Sequence, residues 1–127
     1  MIPTPGEART ALFVYGTLKR GASNHGLMAG QQFLGSARTV PGFVLYDLGG
    51  YPGMVQVPGA SGFVTGEVWL VSSACLAALD RFEGIGEGLY RREPVMMVTP
   101  YDHLAVDSYL FAQSVAGRRQ LGTSWPG

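Results

Sequence analysis

The chain predicts an α+β fold. It reads as a small mixed β-sheet or partly closed barrel of about seven short strands, with one main helix packed beside it. Three observations carry this reading. Nineteen glycines in 127 residues punctuate short apolar runs without forming a repeat, which favours strands and turns over a helical bundle. Only one stretch, Ala74 to Phe82, combines good helix formers with start and stop signals. The composition, 46% hydrophobic and 14% charged, is enough to bury one core and too apolar for disorder. Residues 1–127 therefore read as a single domain. The ends, residues 1–9 and 116–127, are expected to be loose, with Trp125 able to dock on the surface.

In chain order, Thr10 to Tyr15 reads as a buried strand. Asn24 to Gly30 reads as one short helical turn, with Asn24 as its cap and Leu27 and Met28 as its apolar contacts. Gln32 to Asp47 is β-prone and interrupted at Pro41-Gly42. Gly49 to Gly53 is a turn, and Met54 to Val57 a short strand. Phe63 to Val71 carries the strongest strand pattern. The helix follows, capped by Ser72 or Ser73 and stopped by Gly84 at the C′ position. Tyr90 to Thr99 and Leu104 to Ala112 are expected to form a hairpin around Pro100-Tyr101-Asp102-His103.

Charge and cysteine content exclude several classes of function. Nine basic residues balance nine acidic ones. There is no electrostatic footprint for nucleic acid or an anionic membrane, since basic residues cluster only as doublets. The single Cys75 rules out an internal disulfide framework and a Cys-based zinc site. Met1 to Thr10 lacks the basic-then-apolar design of a signal peptide. No apolar run approaches the ~20 residues that span a bilayer. The expectation is a cytoplasmic monomer that binds neither nucleic acid nor membrane.

One carboxylate stands in the wrong place. At about 100° per residue, Leu76, Leu79 and Glu83 share a helix face. Glu83 occupies a position that should be apolar, in the last turn, where the helix dipole disfavours an anion by ~0.3–1 kcal/mol. Asp80 is one turn away. Burial, dipole and the neighbouring carboxylate all push the Glu83 pKa upward, toward the value a general acid/base needs. The bland alternatives are that Glu83 points to water, or pairs with Arg91 or Arg92. Asp80 reads as a solvated residue or a cap partner.

The second candidate is the loop Tyr15-Gly16-Thr17-Leu18-Lys19-Arg20-Gly21. A strand that stops at an aromatic and turns through Gly-Thr presents backbone N–H groups that no ladder uses. Such groups can hold an anion or a polarised carbonyl. The alternative is a simple connection with solvated Lys19 and Arg20. Other residues weigh less. His25 and His103 lie in no metal-ligand spacing, and surface or hydrogen-bonding roles suit them. Cys75 reads as a buried small hydrophobe. No serine sits in a nucleophile elbow, and Gly16 with Gly21 is not a phosphate loop. Tyr109 alternates with Phe111 on a strand, as core or pocket lining. Tyr90 reaches either a pocket or the surface.

Tyr15-Gly16-Thr17-Leu18, then Gly66-Glu67-Val68-Trp69, then Leu79-Asp80-Arg81-Phe82-Glu83-Gly84, then Tyr90-Arg91-Arg92 resembles the γ-glutamylcyclotransferase-like superfamily. The resemblance runs from about Leu12 to Phe111. The stretch Tyr15 to His25 is particularly similar to the γ-glutamylamine cyclotransferase branch. This resemblance implies a small mixed structure around a barrel with a cavity. It implies an enzyme that releases 5-oxoproline from a γ-glutamyl amide, without metal or cofactor. It places Glu83 as the catalytic glutamate and Tyr15, Gly16, Thr17 and Leu18 as the substrate-cradling loop. It makes Tyr90 and Arg92 pocket support and Tyr109 a wall residue, all serving a small-molecule γ-glutamyl substrate. The turn Asn24 to Gly30 and the loop Gly84 to Leu89 are expected to rim the pocket. Two other classes of function compete: a non-catalytic module binding a small anionic metabolite, and an interaction protein. Glu83 favours the enzyme, because a carboxylate binder gains nothing from another acid in its pocket.

Overall fold

The computed structural model describes residues 8–126. It contains seven strands of five to eight residues, a two-residue eighth, and one α-helix. The strands are β1 (Arg9–Val14), β2 (Gln32–Arg38), β3 (Phe43–Asp47), β4 (Pro52–Gln56), β5 (Thr65–Ser72), β6 (Tyr90–Pro94), β7 (Val106–Phe111) and β8 (Arg119–Gln120). The helix α1 (Ser73–Phe82) directly follows β5. The mixed sheet with one main helix is the fold class the sequence predicts.

The strand order is β2-β5-β1-β7-β4-β3-β8, with β6 also paired to β7. β1 runs antiparallel to β5 and parallel to β7. The register of β7 holds the key to the site. Ser108 of β7 pairs with Phe13 of β1, whereas Leu110 pairs with Met54 of β4. Residues Asp107 to Phe111 pair on the opposite edge with β6. One edge of β7 is thus shared by two strands, and the sheet splits where β1 hands over to β4.

Alternation along the strands fills both faces. Ala11, Phe13, Val68, Val106 and Leu110 enter one core cluster. Leu12, Val14, Trp69, Val71, Tyr109 and Phe111 enter another, with Leu79 of α1. Ser72 is the helix cap, its hydroxyl accepting from the Cys75 N–H at 3.1 Å. Gly84 ends the helix with φ +68°, a left-handed conformation that glycine adopts without steric cost.

The structure corrects several expectations. The tail is not loose over 116–126: Gln120 and Arg119 pair with Tyr46 and Asp47 of β3, and the Thr65 N–H donates to Thr123 O. This polar strand satisfies an otherwise open edge of β3, which sequence periodicity cannot announce. Arg9 already belongs to β1, and residues 1–7 lie outside the described residues. The hairpin expected over 90–112 does form, as β6 paired antiparallel with β7, but it is shorter than drawn, and the segment between the two strands is longer than the turn at 100–103. The Val95 N–H still donates to Val106 O of β7 at 2.8 Å, after which the chain departs and Met97 bridges Thr39. Asn24 precedes a 3₁₀ turn, His25–Met28, without capping it.

Candidate active site

The site is built where the sheet splits. After Val14 the chain turns outward through Tyr15, Gly16, Thr17 and Leu18. Tyr15 is buried, and its hydroxyl donates to Tyr109 O at 2.6 Å while accepting the Met54 N–H at 3.1 Å. The phenol thus bridges β7 and β4 at the gap, standing in for a ladder bond. A Cβ on Gly16 would lie 2.6 Å from Pro52 Cγ, so only glycine lets the loop pass that rigid ring. The Lys19 N–H donates to Gly16 O, and the Asn24 N–H and Nδ2 donate to Thr17 O and Oγ1. His25 Nδ1 lies 2.9 Å from Leu18 O.

At the loop exit the Arg20 N–H and Nε donate to Glu67 at 3.0 and 3.1 Å, and Trp69 Nε1 donates to the same carboxylate. Glu67 is only 8% exposed. Burial pushes its carboxyl up, but the bonds from Arg20 and Trp69 hold it below the ordinary carboxylate value. Lys19 donates to Trp125 O. Neither basic side chain of the loop is simply solvated. Among the described residues, nothing accepts from the N–H groups of Gly16, Thr17 or Leu18. Three neighbouring amides thus have no acceptor within the described residues.

Glu83 is the C-terminal cap of α1, its N–H donating to Leu79 O at 2.8 Å. Burial raises its carboxyl from the ordinary 4.5 to about 7. No described residue hydrogen-bonds or ion-pairs that carboxyl. Its charge faces the hydroxyls of Tyr15, Tyr90 and Tyr109, all held above the ordinary tyrosine value chiefly by burial. Of the three causes expected from sequence, burial is the one that acts. Asp80 is neutralised by Arg92, at 2.9 and 3.3 Å, and by the Tyr109 hydroxyl at 2.7 Å. Burial would raise the Asp80 carboxyl, but these partners hold it low.

The basic neighbours of Glu83 are therefore occupied elsewhere. Arg92 binds Asp80 and also Asp107 at 2.8 Å, and Arg91 pairs with Glu93 at 2.9 Å. Arg92, expected as pocket support, does not itself line the cavity. It reaches the site through Asp80, which fixes the Tyr109 hydroxyl. The Tyr90 hydroxyl is spent on Pro52 O at 2.8 Å.

The cavity has a volume of about 300 Å³ and is lined by Tyr15, Gly16, Thr17, Leu18, Glu83, Tyr90 and Tyr109, among others. That is small-molecule size. The structure brings these seven together from the loop after β1, the C-terminal cap of α1, β6 and β7. Gly50, Tyr51, Pro52 and Phe82 also line the cavity and were missed in the sequence. The aromatic inside Gly49-Gly50-Tyr51-Pro52-Gly53 is the signal that could have found one of them. Of the expected rim, only its ends, Asn24 and Leu89, line the cavity. Among the described residues, no Lys, Arg or His lines it. No group of three or more His, Cys, Asp or Glu side chains able to hold a metal ion occurs among the described residues. No helix among them is long and apolar enough to cross a membrane. Cys75 is half-buried, and burial pushes its thiol up, which suits an inert packing role.

The arrangement sets the Glu83 carboxyl and the open amides of Gly16, Thr17 and Leu18 around one cavity. Comparison with known proteins points the same way. The family model described as "Gamma-glutamyl cyclotransferase, AIG2-like" matches residues 12–126. The gamma-glutamylcyclotransferase family protein YtfP of Escherichia coli K12 is 41% identical over 110 residues, covering 87% of this chain and 89% of that protein. The gamma-glutamylaminecyclotransferase of Rattus norvegicus is 40% identical over 88 residues, covering 64% of this chain and 58% of the rat protein. The crystal structure of an AIG2-like protein from Mus musculus superposes with a TM-score of 0.74 at 33% identity, covering 84% of this chain and 79% of that one.

Proposed function

The chain belongs to the gamma-glutamyl cyclotransferase, AIG2-like family, and from that premise we propose that it releases 5-oxoproline from a γ-glutamyl amine or peptide. The nucleophile is the substrate's own α-amine, so no serine or cysteine is needed. A bond forms between that nitrogen and the γ-carbonyl carbon, and the bond from this carbon to the leaving nitrogen breaks. Ionised Glu83 takes one proton from the α-ammonium group and gives it to the leaving nitrogen, and the second proton that the ring nitrogen sheds on becoming an amide passes through the same carboxylate to solvent. The products are 5-oxoproline and the free amine, and the carboxylate is regenerated.

The open N–H groups of Gly16, Thr17 and Leu18 serve the glutamyl end and the oxyanion that develops on the γ-carbonyl. Tyr15, Tyr90 and Tyr109 wall the space, their hydroxyls fixed by Tyr109 O, Pro52 O and Asp80. Folding the glutamyl chain so that amine and carbonyl meet can supply ~7–11 kcal/mol of the barrier. The observation that carries the reading is the Glu83 carboxyl: inside the cavity, without a protein partner, and titrating at about 7. A group with that value holds and loses a proton with equal ease near neutrality. The rat relative's name supports an amine as leaving group.

The test is incubation with γ-glutamyl amides and mass detection of 5-oxoproline, for the native protein and Glu83→Gln. Loss of about 10²–10⁴-fold in turnover, with circular dichroism unchanged, is expected. Full turnover by Glu83→Gln removes Glu83 from the chemistry. Binding without product, in the native protein, replaces the enzyme with a binding module.

A further inference from the structure

The segment 119–125 runs from β3 to the loop that carries the open amides. Arg119 and Gln120 pair with Asp47 and Tyr46 of β3, and the Leu121 N–H donates to Leu45 O at 2.7 Å. Thr123 O then accepts the N–H of Thr65, on β5, at 2.7 Å and its hydroxyl at 3.2 Å. Trp125 O accepts from Lys19 Nζ at 2.7 Å. In the sheet order, β4, β7 and β1 stand between β3 and β5. The segment therefore joins two strands that the ladder keeps apart. Leu121 and Trp125, both half-buried, pack on the core cluster that holds Phe13 and Tyr15. Apolar contact thus seats the crossing near each end.

Lys19 closes the turn that presents the amides. Its N–H donates to Gly16 O, and its own carbonyl accepts the Ala22 N–H. Thr17 O accepts the Asn24 N–H, and His25 Nδ1 lies 2.9 Å from Leu18 O. A trans peptide sets each N–H opposite the preceding carbonyl. Holding Gly16 O and Thr17 O therefore aims the N–H groups of Thr17 and Leu18. These holds are local, made by residues 19–25. Among the described residues, side chains tie the 16–20 stretch to distant segments through Arg20 on Glu67 and Lys19 on Trp125 O. The first fixes it to β5. The second fixes it to a segment that is itself anchored on β3, β5 and the core.

Resting on the cyclotransferase reading, we infer that residues 121–125 strap the amide loop through Lys19, and that Lys19 and Trp125 are positioning residues for glutamyl binding although neither lines the cavity. A loop freed from the strap holds its binding arrangement only part of the time, and apparent affinity falls by that fraction. Bound substrate restores the arrangement, so kcat holds. The test measures 5-oxoproline release by the full chain and by Lys19→Met, Trp125→Ala, their double variant and Lys19→Arg. The substrates are γ-L-glutamyl-n-butylamide and γ-L-glutamyl-L-alanine, and the one the native protein turns over faster is used throughout. Lys19→Met and Trp125→Ala are each expected to raise KM about 10-fold at unchanged kcat. The double variant should show no more than the larger single effect, because both changes release one strap. Lys19→Arg keeps a donor for the Trp125 carbonyl and should restore the native KM. Loss of folded protein lowers the apparent kcat and leaves KM alone, so a merely structural role is told apart. Should Trp125→Ala not fold, Trp125→Leu takes its place. A native KM in Lys19→Met overturns the strap and leaves the cyclotransferase reading standing. So does a double variant in which the two increases multiply. Release of 5-oxoproline from neither substrate by the native protein overturns both.

Discussion

Replacing Glu83 by Gln isolates what an ionised carboxylate costs this fold. Burial raises the Glu83 carboxyl from 4.5 to about 7. At ~1.36 kcal/mol per unit, the gap corresponds to about 3 kcal/mol. The folded pKa lies above the unfolded one, so the native chain binds more protons between these values. Stability is therefore lost as pH rises through that window, and the full cost is present above about pH 7. Glutamine keeps the size and neutrality of the protonated acid. The variant should match the native protein near about pH 4.5 and exceed it by about 3 kcal/mol near pH 8, or roughly 10 °C in Tm for a chain of this size. Urea denaturation followed by tryptophan fluorescence at both pH values measures the two gaps. A gain of equal size at both, or none near pH 8, refutes the argument that burial without a partner sets the carboxyl's behaviour.

Two further substitutions test the frame of the site. Glu67→Ala leaves the Arg20 and Trp69 donors without their acceptor and is expected to cost about 1–3 kcal/mol in urea denaturation; an unchanged midpoint would show that the Arg20 end of the amide loop needs no anchor. Gly16→Ala drives a methyl against Pro52 at 2.6 Å and should destabilise by about 1–3 kcal/mol in thermal melts. A native-like Tm would mean that the loop and Pro52 part without cost.

Much of this was legible in the residues because local rules carried it. Ser72 and Gly84 bracket a short run of helix formers, and the helix lies between them. The helical period put Glu83 under Leu79 and Leu76, and the same geometry turns its side chain inward. The loop at Tyr15 was readable because a buried strand ended in a turn. What stayed hidden depends on contacts between distant segments. Pro52 opposing Gly16 follows from β4 meeting β7 beside β1, a pairing no local pattern encodes. Glu67 looked like an ordinary strand residue. Its i, i+2 relation to Trp69 places both on one face, a signal that could have marked it as a buried acceptor. Arg92 stays off the cavity wall because two acids, Asp80 on α1 and Asp107 on β7, draw it away. The pairing of Arg119 and Gln120 with β3 has no apolar period to betray it.

The most direct test of proton transfer through Glu83 is kcat/KM for 5-oxoproline release as a function of pH. Because the ionised carboxyl is the active form, the rate should climb with pH through a midpoint near the carboxyl's value of about 7. A profile whose only rising limb lies near 4.5, the value of an ordinary glutamate, contradicts a buried carboxyl as the base. So does one that rises only above ~8, with the substrate's own ammonium group.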